Sequence, residues 1–458
     1  MASLNHLPTE LLLQICSILS SQRRTASLSR LSRTNRRLLA LAQPPLYTSI
    51  THNEMPPSTQ LNLLRTLQSR PDLASHIRHL SITTSISSSR PSSSTTEITT
   101  LLTTLNLPPR IHDLYSDPSD PAGRLLLLEL ILLHTPNLTF LQLPLNCEWD
   151  LPILTHLARQ TPVSILLPKL HTLEITNYYI SGDQYDVPFP AIISLCALAP
   201  NLQELWTYNP GSDGRGPYPL QSLKRLEFED VCGVNEVLLR AMVESAPGLE
   251  VFGLVWHPAG DSYSWSGEGE AADAWKALWL RRETLREVRL DVLKDGWDGE
   301  LRLGRLGWWS LGGFGMLEVL KVGAFALEVL REAWRGRRGF VDGGLGGDDE
   351  GFVRGLLPRS IREVTLWEPS GELVGGMMSL AGVVAQGEYP GLKRVVVAPT
   401  ELIADRWHEE WVGQGEWLRA SGELQRAFAR SGVVFEVQTD RIYGGVRGPS
   451  WEKFQSYS

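Results

Sequence analysis

The sequence predicts an α/β chain: a small helical module at the N-terminus, then an irregular solenoid in which short parallel strands alternate with helices. Three observations carry this reading. A six-residue apolar pattern recurs from about residue 76 onward, helix-period apolar stretches separate its copies, and residues 1–50 lack it and carry three short helical sets instead.

The recurring pattern is Leu-x-x-Leu-x-Leu, with Ile, Val or Phe as substitutes. Copies begin at Ile77, Leu138, Leu170, Leu202, Leu223, Leu249, Leu285, Leu317, Ile361 and Leu392. The last four residues of each copy alternate, which is the period of a half-buried strand. Pro136, Pro168, Pro200, Pro247 and Pro390 each stand two residues before the first apolar position. Proline cannot continue a helix, so each ends one and feeds a turn into the next strand. A single helix–turn–strand unit cannot bury its own apolar face, whereas a stack can. This is a leucine-rich-repeat pattern, with strands on the concave side and helices on the convex side. Its spacing runs from 21 residues (Leu202 to Leu223) to 61 (Ile77 to Leu138), so loops are inserted, and the longest gap is expected to hide a degenerate repeat around Leu101 to Leu107. The final strand is expected at Val433 to Gln438.

The predicted organisation is a helical domain over 1–50, a repeat domain over 51–440 and a tail over 441–458. Insertions fall near 85–97 (polar), 257–275 (Gly with Tyr263 and Trp265) and 336–351 (Gly-rich). Each reads as a tolerated surface insertion, although the aromatics of the middle one leave a more specific role open.

In the N-terminal module, Leu11, Leu12, Ile15, Ile18 and Leu19 share one broad helical arc with Cys16 at its edge, and Leu13 falls among Glu10, Gln14 and Ser17. Pro8 suits a first helical position. Apolar sets follow at Leu28 and Leu31, then at Leu38, Leu39 and Leu41, and "PPLYTSI" closes the module. So small a unit buries too little surface to stand alone comfortably, and its apolar supply exceeds what three short helices can hide. Arg23, Arg24, Arg30, Arg33, Arg36 and Arg37 face a single acid, Glu10, in a chain of net charge -8. A basic module on an acidic chain suggests a partner with local negative charge.

The stretch Leu7-Pro8, Glu10-Leu11-Leu12, Ile15, Leu19, Leu28, Leu31, "RTNRRL" and Leu46-Tyr47 resembles an F-box, with Leu38 where that family often carries a bulky aromatic. An F-box followed by leucine-rich repeats is a known architecture, and the Pro-Asn-Leu style resembles F-box proteins of filamentous fungi. The resemblance implies a non-catalytic substrate receptor of an SCF-type ubiquitin ligase, cytoplasmic and/or nuclear. Its F-box would bind the acidic Skp-type adaptor, and through it cullin and RING subunits. By the family's motif the adaptor contacts would be Leu7, Pro8, Leu11, Leu12, Ile15, Leu28 and Leu31, and each could instead belong to the module's own core. The alternative is a leucine-rich-repeat scaffold outside any ligase.

A protein substrate would lie on the outward positions of the strands. The candidate residues are Trp206, Tyr208, Arg225, Glu227, Arg289, Lys321 and Trp367, in a row that also includes Gln142 and Glu174. Tryptophan and arginine are favoured interface anchors. The two tryptophans could equally be covered by inserted loops.

Other classes find little support. The acidic balance argues against general affinity for nucleic acid or anionic membrane. "RLLLLELILLH" at Arg124 to His134 is broken by Glu129 and is far short of the roughly 20 apolar residues of a span, so it reads as a buried helix. Cys16, Cys147, Cys196 and Cys232 form no CxxC pair and read as reduced and buried. "WHEEW" at Trp407 lacks a second His at metalloprotease spacing, and "DGWDGE" at Asp295 lacks calcium-loop spacing. No cofactor or metal is expected.

Overall fold

The structure is a computed structural model. It describes residues 6–21, 24–52, 57–82, 125–145, 151–160, 165–176, 189–208, 216–231, 236–256, 276–292, 310–323, 349–367, 373–398 and 414–437, with 100, 102–104, 107–109, 111, 327 and 331. Two compact units divide the chain, Met1–Leu205 and Trp206–Ser458.

The first unit opens with α1 (Thr9–Ser21), α2 (Thr25–Ser32) and α3 (Arg36–Thr48). The side chain of Asn35 accepts a hydrogen bond from the Leu38 amide at 2.9 Å and caps α3. The helix runs through Pro44 and Pro45, further than "PPLYTSI" suggested. Proline removes two helical donors here, while Thr48 Oγ1 donates to the Pro44 carbonyl at 3.0 Å. Strand β1 (Ser49–His52) follows directly, one strand earlier than the apolar pattern announces.

After α4 (Pro57–Ser69) and α5 (Pro71–Ala74) come β2 (His79–Ile82), α6 (Leu126–Leu133), β3 (Phe140–Pro144) and α7 (Pro152–Arg159). Then come β4 (Thr172–Thr176), α8 (Phe189–Leu198) and β5 (Glu204–Tyr208), which reaches the division between the units. Strands β1 to β4 pair in chain order and in parallel. Because β2 pairs directly with β3 (His79 opposite Phe140), no strand from the long gap stands between them. The expected degenerate repeat is therefore absent from the sheet, and residues 102–104 are helical, with Leu102, Leu107 and Ile111 buried.

The second unit holds β6 (Arg225–Val231), α9 (Glu236–Ser245), β7 (Val251–Trp256), β8 (Glu287–Val292) and β9 (Val319–Gly323). It continues with α10 (Asp349–Leu356), β10 (Glu363–Trp367), α11 (Leu373–Ala385), β11 (Arg394–Ala398), α12 (Gln414–Ala429) and β12 (Val434–Val437). Here too neighbouring strands are parallel and follow chain order. α10 begins inside the Gly-rich stretch read as an insertion, so the end of that stretch is ordered structure.

All ten pattern copies contain a strand, and their apolar positions are inward: Leu138, Leu141, Leu143, Leu170, Leu173, Leu223, Leu226 and Phe228 are fully buried. The first apolar residue closes a turn onto the carbonyl three residues back, as in Leu138 to Thr135, Leu170 to Leu167, Leu202 to Ala199 and Leu392 to Tyr389. The proline is the second residue of that turn, where its fixed φ fits. The Asn of "Pro-Asn-Leu" has a structural task. Asn137 Nδ2 donates to the Ser75 carbonyl at 2.9 Å and Asn201 Nδ2 to the Pro168 carbonyl at 2.8 Å, tying each turn to the one before. Ser360 does the same to Leu317 at 2.7 Å.

α6 is buried as expected for the Arg124 to His134 stretch. Its Glu129 is wholly enclosed, and its Oε2 accepts the Leu154 amide at 2.8 Å, so it caps α7 from the neighbouring helix. The first amides of a helix have no partner within it, and Glu129 supplies one to α7, which explains a carboxyl group amid leucines. Among the described residues no helix is long and apolar enough to cross a membrane. The insertion at 257–275, "DGWDGE", "WHEEW", Cys147, Cys232 and the tail over 441–458 lie outside the described residues.

Candidate interaction sites

The first site is built on α1. Its inner side carries Leu12, 1 % exposed, and Cys16, which packs with Leu28 and Ala42, while Leu19, Leu31, Leu41 and Leu46 lean on that cluster. Burial pushes the Cys16 thiol above its ordinary range. Arg37 Nη2 donates to the Leu7 carbonyl at 3.0 Å and to Thr9 Oγ1 at 3.1 Å, so α3 holds the entry into α1 in place. The Leu12 amide bonds the Pro8 carbonyl at 3.2 Å, which places Pro8 one residue before the helix.

The outer side of α1 is apolar as well. Leu11 is 46 % and Ile18 48 % exposed, and half-buried Ile15 lies between them at the i, i+4, i+7 spacing of one helical stripe. The broad arc is thus two surfaces. Of the seven expected adaptor contacts, Leu7, Pro8, Leu11, Ile15 and Leu31 keep exposed surface. Leu12 and Leu28 do not: each is 1 % exposed, because the three helices need them as their common core, and they are reassigned to it. Ile18 and Leu39 belong with the exposed set instead. The signal for Ile18 was its place seven residues after Leu11. Leu13, which the helical arc leaves among Glu10, Gln14 and Ser17, is 47 % exposed. Arg24, Arg30, Arg33, Arg36 and Arg37 are all exposed.

The second site is the strand face of the Trp206–Ser458 unit. The register aligns Glu227, Gly253, Arg289, Lys321 and Thr365 across β6 to β10. Thr365, not Trp367, stands beside Lys321; Trp367 is one pair further along, opposite Gly323. Arg225 Nη1 donates to Glu227 Oε1 at 2.6 Å, and Arg289 Nη1 lies 3.6 Å from Glu227 Oε2. Lys321 Nζ donates to Glu287 Oε1 at 2.6 Å. Two guanidinium groups cover tryptophan rings, Arg225 over Trp206 at 5.7 Å and Arg289 over Trp367 at 4.8 Å to the ring centroid.

This face is more closed than a row of outward strand positions implies. Trp206, Tyr208 and Glu227 are buried, so these three expected substrate contacts are corrected to packing residues. Trp206 lies under a guanidinium, and Glu227 lies across Gly253, where a Cβ would come within 2.9 Å of its Cγ. Arg225, Arg289, Lys321 and Trp367 keep part of their surface open. Burial pushes the Glu227 carboxyl above its ordinary range, opposed first by the charge of Arg289 and then by Arg225. In the first unit the matching row, Ser81, Gln142 and Glu174, is also buried, with Ser81 Oγ bonded to Gln142 Oε1.

Chemically, the first site offers an apolar stripe beside exposed arginines, and the second offers cations held against aromatic rings. Among the described residues no His, Cys, Asp and Glu cluster could hold a metal ion. Residues 4–53 match the family model described as F-box-like. No curated protein matches the chain. An F-box-like domain suggests an adaptor role in ubiquitin ligation, exercised through protein–protein contact, and such domains typically bind Skp-type adaptors.

Proposed function

We propose that the protein is the substrate-recognition subunit of an SCF-type ubiquitin ligase, working in the cytoplasm and/or nucleus. Residues 1–50 bind the Skp-type adaptor and, through it, the cullin and RING subunits. Residues 51–440 form a leucine-rich-repeat solenoid that holds a protein substrate, and the chain itself carries no catalytic step. The observation that carries this reading is the exposed stripe of Leu11, Ile15 and Ile18 inside the F-box-like segment. An apolar stripe left open by a well-packed module marks a protein-binding surface. Chain-order parallel strands, most of them preceded by the same turn, support the repeat reading.

The test is co-purification of the full chain with a Skp-type adaptor and cullin. Leu11→Asp with Ile18→Asp should abolish adaptor capture while leaving a cooperative thermal melt, since both side chains are about half exposed and lie outside the Cys16, Leu28 and Ala42 core. Retention of adaptor by that double variant would refute the assignment of the stripe. Adaptor capture that never brings cullin would point to a scaffold outside the ligase.

A further inference from the structure

Arg37 differs from the other described arginines of the N-terminal module. Its Nη2 donates to the Leu7 carbonyl at 3.0 Å and to Thr9 Oγ1 at 3.1 Å. Arg24, Arg30, Arg33 and Arg36 have no side-chain hydrogen bond or ion pair with another described residue. Arg37 sits in the first turn of α3, which carries no acid. A cation there opposes the helix dipole, so the needs of α3 do not account for its place. Its position is fixed from both sides. Asn35 caps the helix two residues before it, and Leu38, next in the chain, is buried.

The segment that Arg37 reaches is one that α1 does not hold by itself. The Leu12 amide bonds the Pro8 carbonyl, and no described amide bonds the Leu7 carbonyl. Helical pairing thus stops one residue short of Leu7, and Arg37 supplies the donor there. Leu7 is half-buried and Pro8 exposed. Leu7, Leu11, Ile15 and Ile18 follow the i, i+4, i+8, i+11 spacing of one helical face, so Leu7 stands at the forward end of the exposed stripe. A contact residue beyond a helix end holds a partner well only if the chain there is already ordered, since ordering it on binding costs affinity.

We propose that Arg37 is a positioning residue for adaptor binding. It fixes Leu7 and Pro8 as the forward end of the Leu11, Ile15 and Ile18 stripe, and so prolongs the adaptor complex rather than speeding its formation. This rests on the reading of that stripe as the adaptor site. Arg36, its exposed neighbour with no such bonds, keeps the steering role of a free surface charge. Two adjacent arginines of one helix turn thus act on different steps of the same association.

The experiment passes the full chain over an immobilised Skp-type adaptor in surface plasmon resonance, with a thermal melt of every variant. Arg37→Lys keeps the charge but loses the guanidinium's reach to both acceptors. It should dissociate about fivefold faster than wild type, as expected for the loss of one or two hydrogen bonds, with association and its salt dependence unchanged. Arg36→Gln should do the reverse, lowering association and leaving dissociation alone. Leu7→Ala should also dissociate faster, and adding Arg37→Lys to it should change little further, because both act through one contact. A role in stability alone would leave the two effects additive. Dissociation of Arg37→Lys at the wild-type rate overturns the proposal. So does slower association in its place, or full additivity with Leu7→Ala. If Leu7→Ala holds the adaptor as wild type does, the proposal fails even where an Arg37 variant does not fold, and faster dissociation of Leu11→Asp alone would then spare the adaptor reading. Capture of no adaptor by wild type would count against both.

Discussion

Glu227 is a carboxylate held among two arginines yet dominated by its burial, which raises its affinity for a proton. Just above the ordinary carboxyl value of 4.5, the folded chain therefore binds more protons at this site than the unfolded chain. Stability supplied by this group is greatest below that value and falls as the pH rises through the window between the unfolded and the raised folded pKa. Glu227→Gln should flatten the pH dependence of stability in that window, measured by urea melts at pH steps upward from 4.5. An unchanged slope would mean that burial and the two arginines cancel at this site, and a steeper fall of stability with rising pH would mean that the arginines govern it. The same residue was read from the sequence as an outward, substrate-facing position. Alternation correctly gave the side of the strand on which it lies. It could not show that Gly253 on the next strand lets Glu227 lie flat and out of reach.

At the scale of elements, the apolar pattern made ten strands legible, because each needs the same inward positions and the same turn. β1 was missed because Ser49–His52 lacks the apolar six-residue pattern and follows α3 with no intervening turn. The extra repeat expected around Leu101 to Leu107 was wrong because a long gap in the pattern does not require another strand in the sheet; β3 simply pairs with β2 across it. On α1 the arc was legible but its division was not. Sequence gives the width of an apolar face, whereas which half is buried depends on where α2 and α3 cross it. Packing also leaves room to improve an element. Gly376 lies in α11, beside a cavity of about 40 Å³ lined by Leu320, Val322, Phe352, Val364, Leu366 and Met377. A Cβ there would meet nothing within 4 Å. Gly376→Ala should therefore stabilise the fold by about 0.5–1 kcal/mol through the lower entropy cost of the helix. Equilibrium denaturation checks this, and a loss of stability would show that the cavity wall is less open than its geometry implies.

Across the whole molecule, charge is distributed against its own average. The chain carries a net charge of -8, yet its first 50 residues hold six arginines and one acid. The five described ones, Arg24, Arg30, Arg33, Arg36 and Arg37, are exposed, on the module that also bears the Leu11, Ile15 and Ile18 stripe. The division of labour follows from the range of the two forces. Exposed charges act over roughly 10 Å at moderate salt and set how often partners meet in a productive orientation. Apolar contacts act only once water is expelled, and so set how long the partners stay. Binding to an acidic Skp-type adaptor, measured by surface plasmon resonance from low to high salt, should show an association rate that falls about tenfold while dissociation changes little. Replacing Arg30, Arg33 and Arg36 with Gln should lower association at low salt and remove most of its salt dependence. Leu11→Asp should instead speed dissociation at every salt concentration. If the arginine variant dissociated faster with unchanged association, the basic groups would be contact residues in the bound state, and the apolar stripe would have to share its holding role with them.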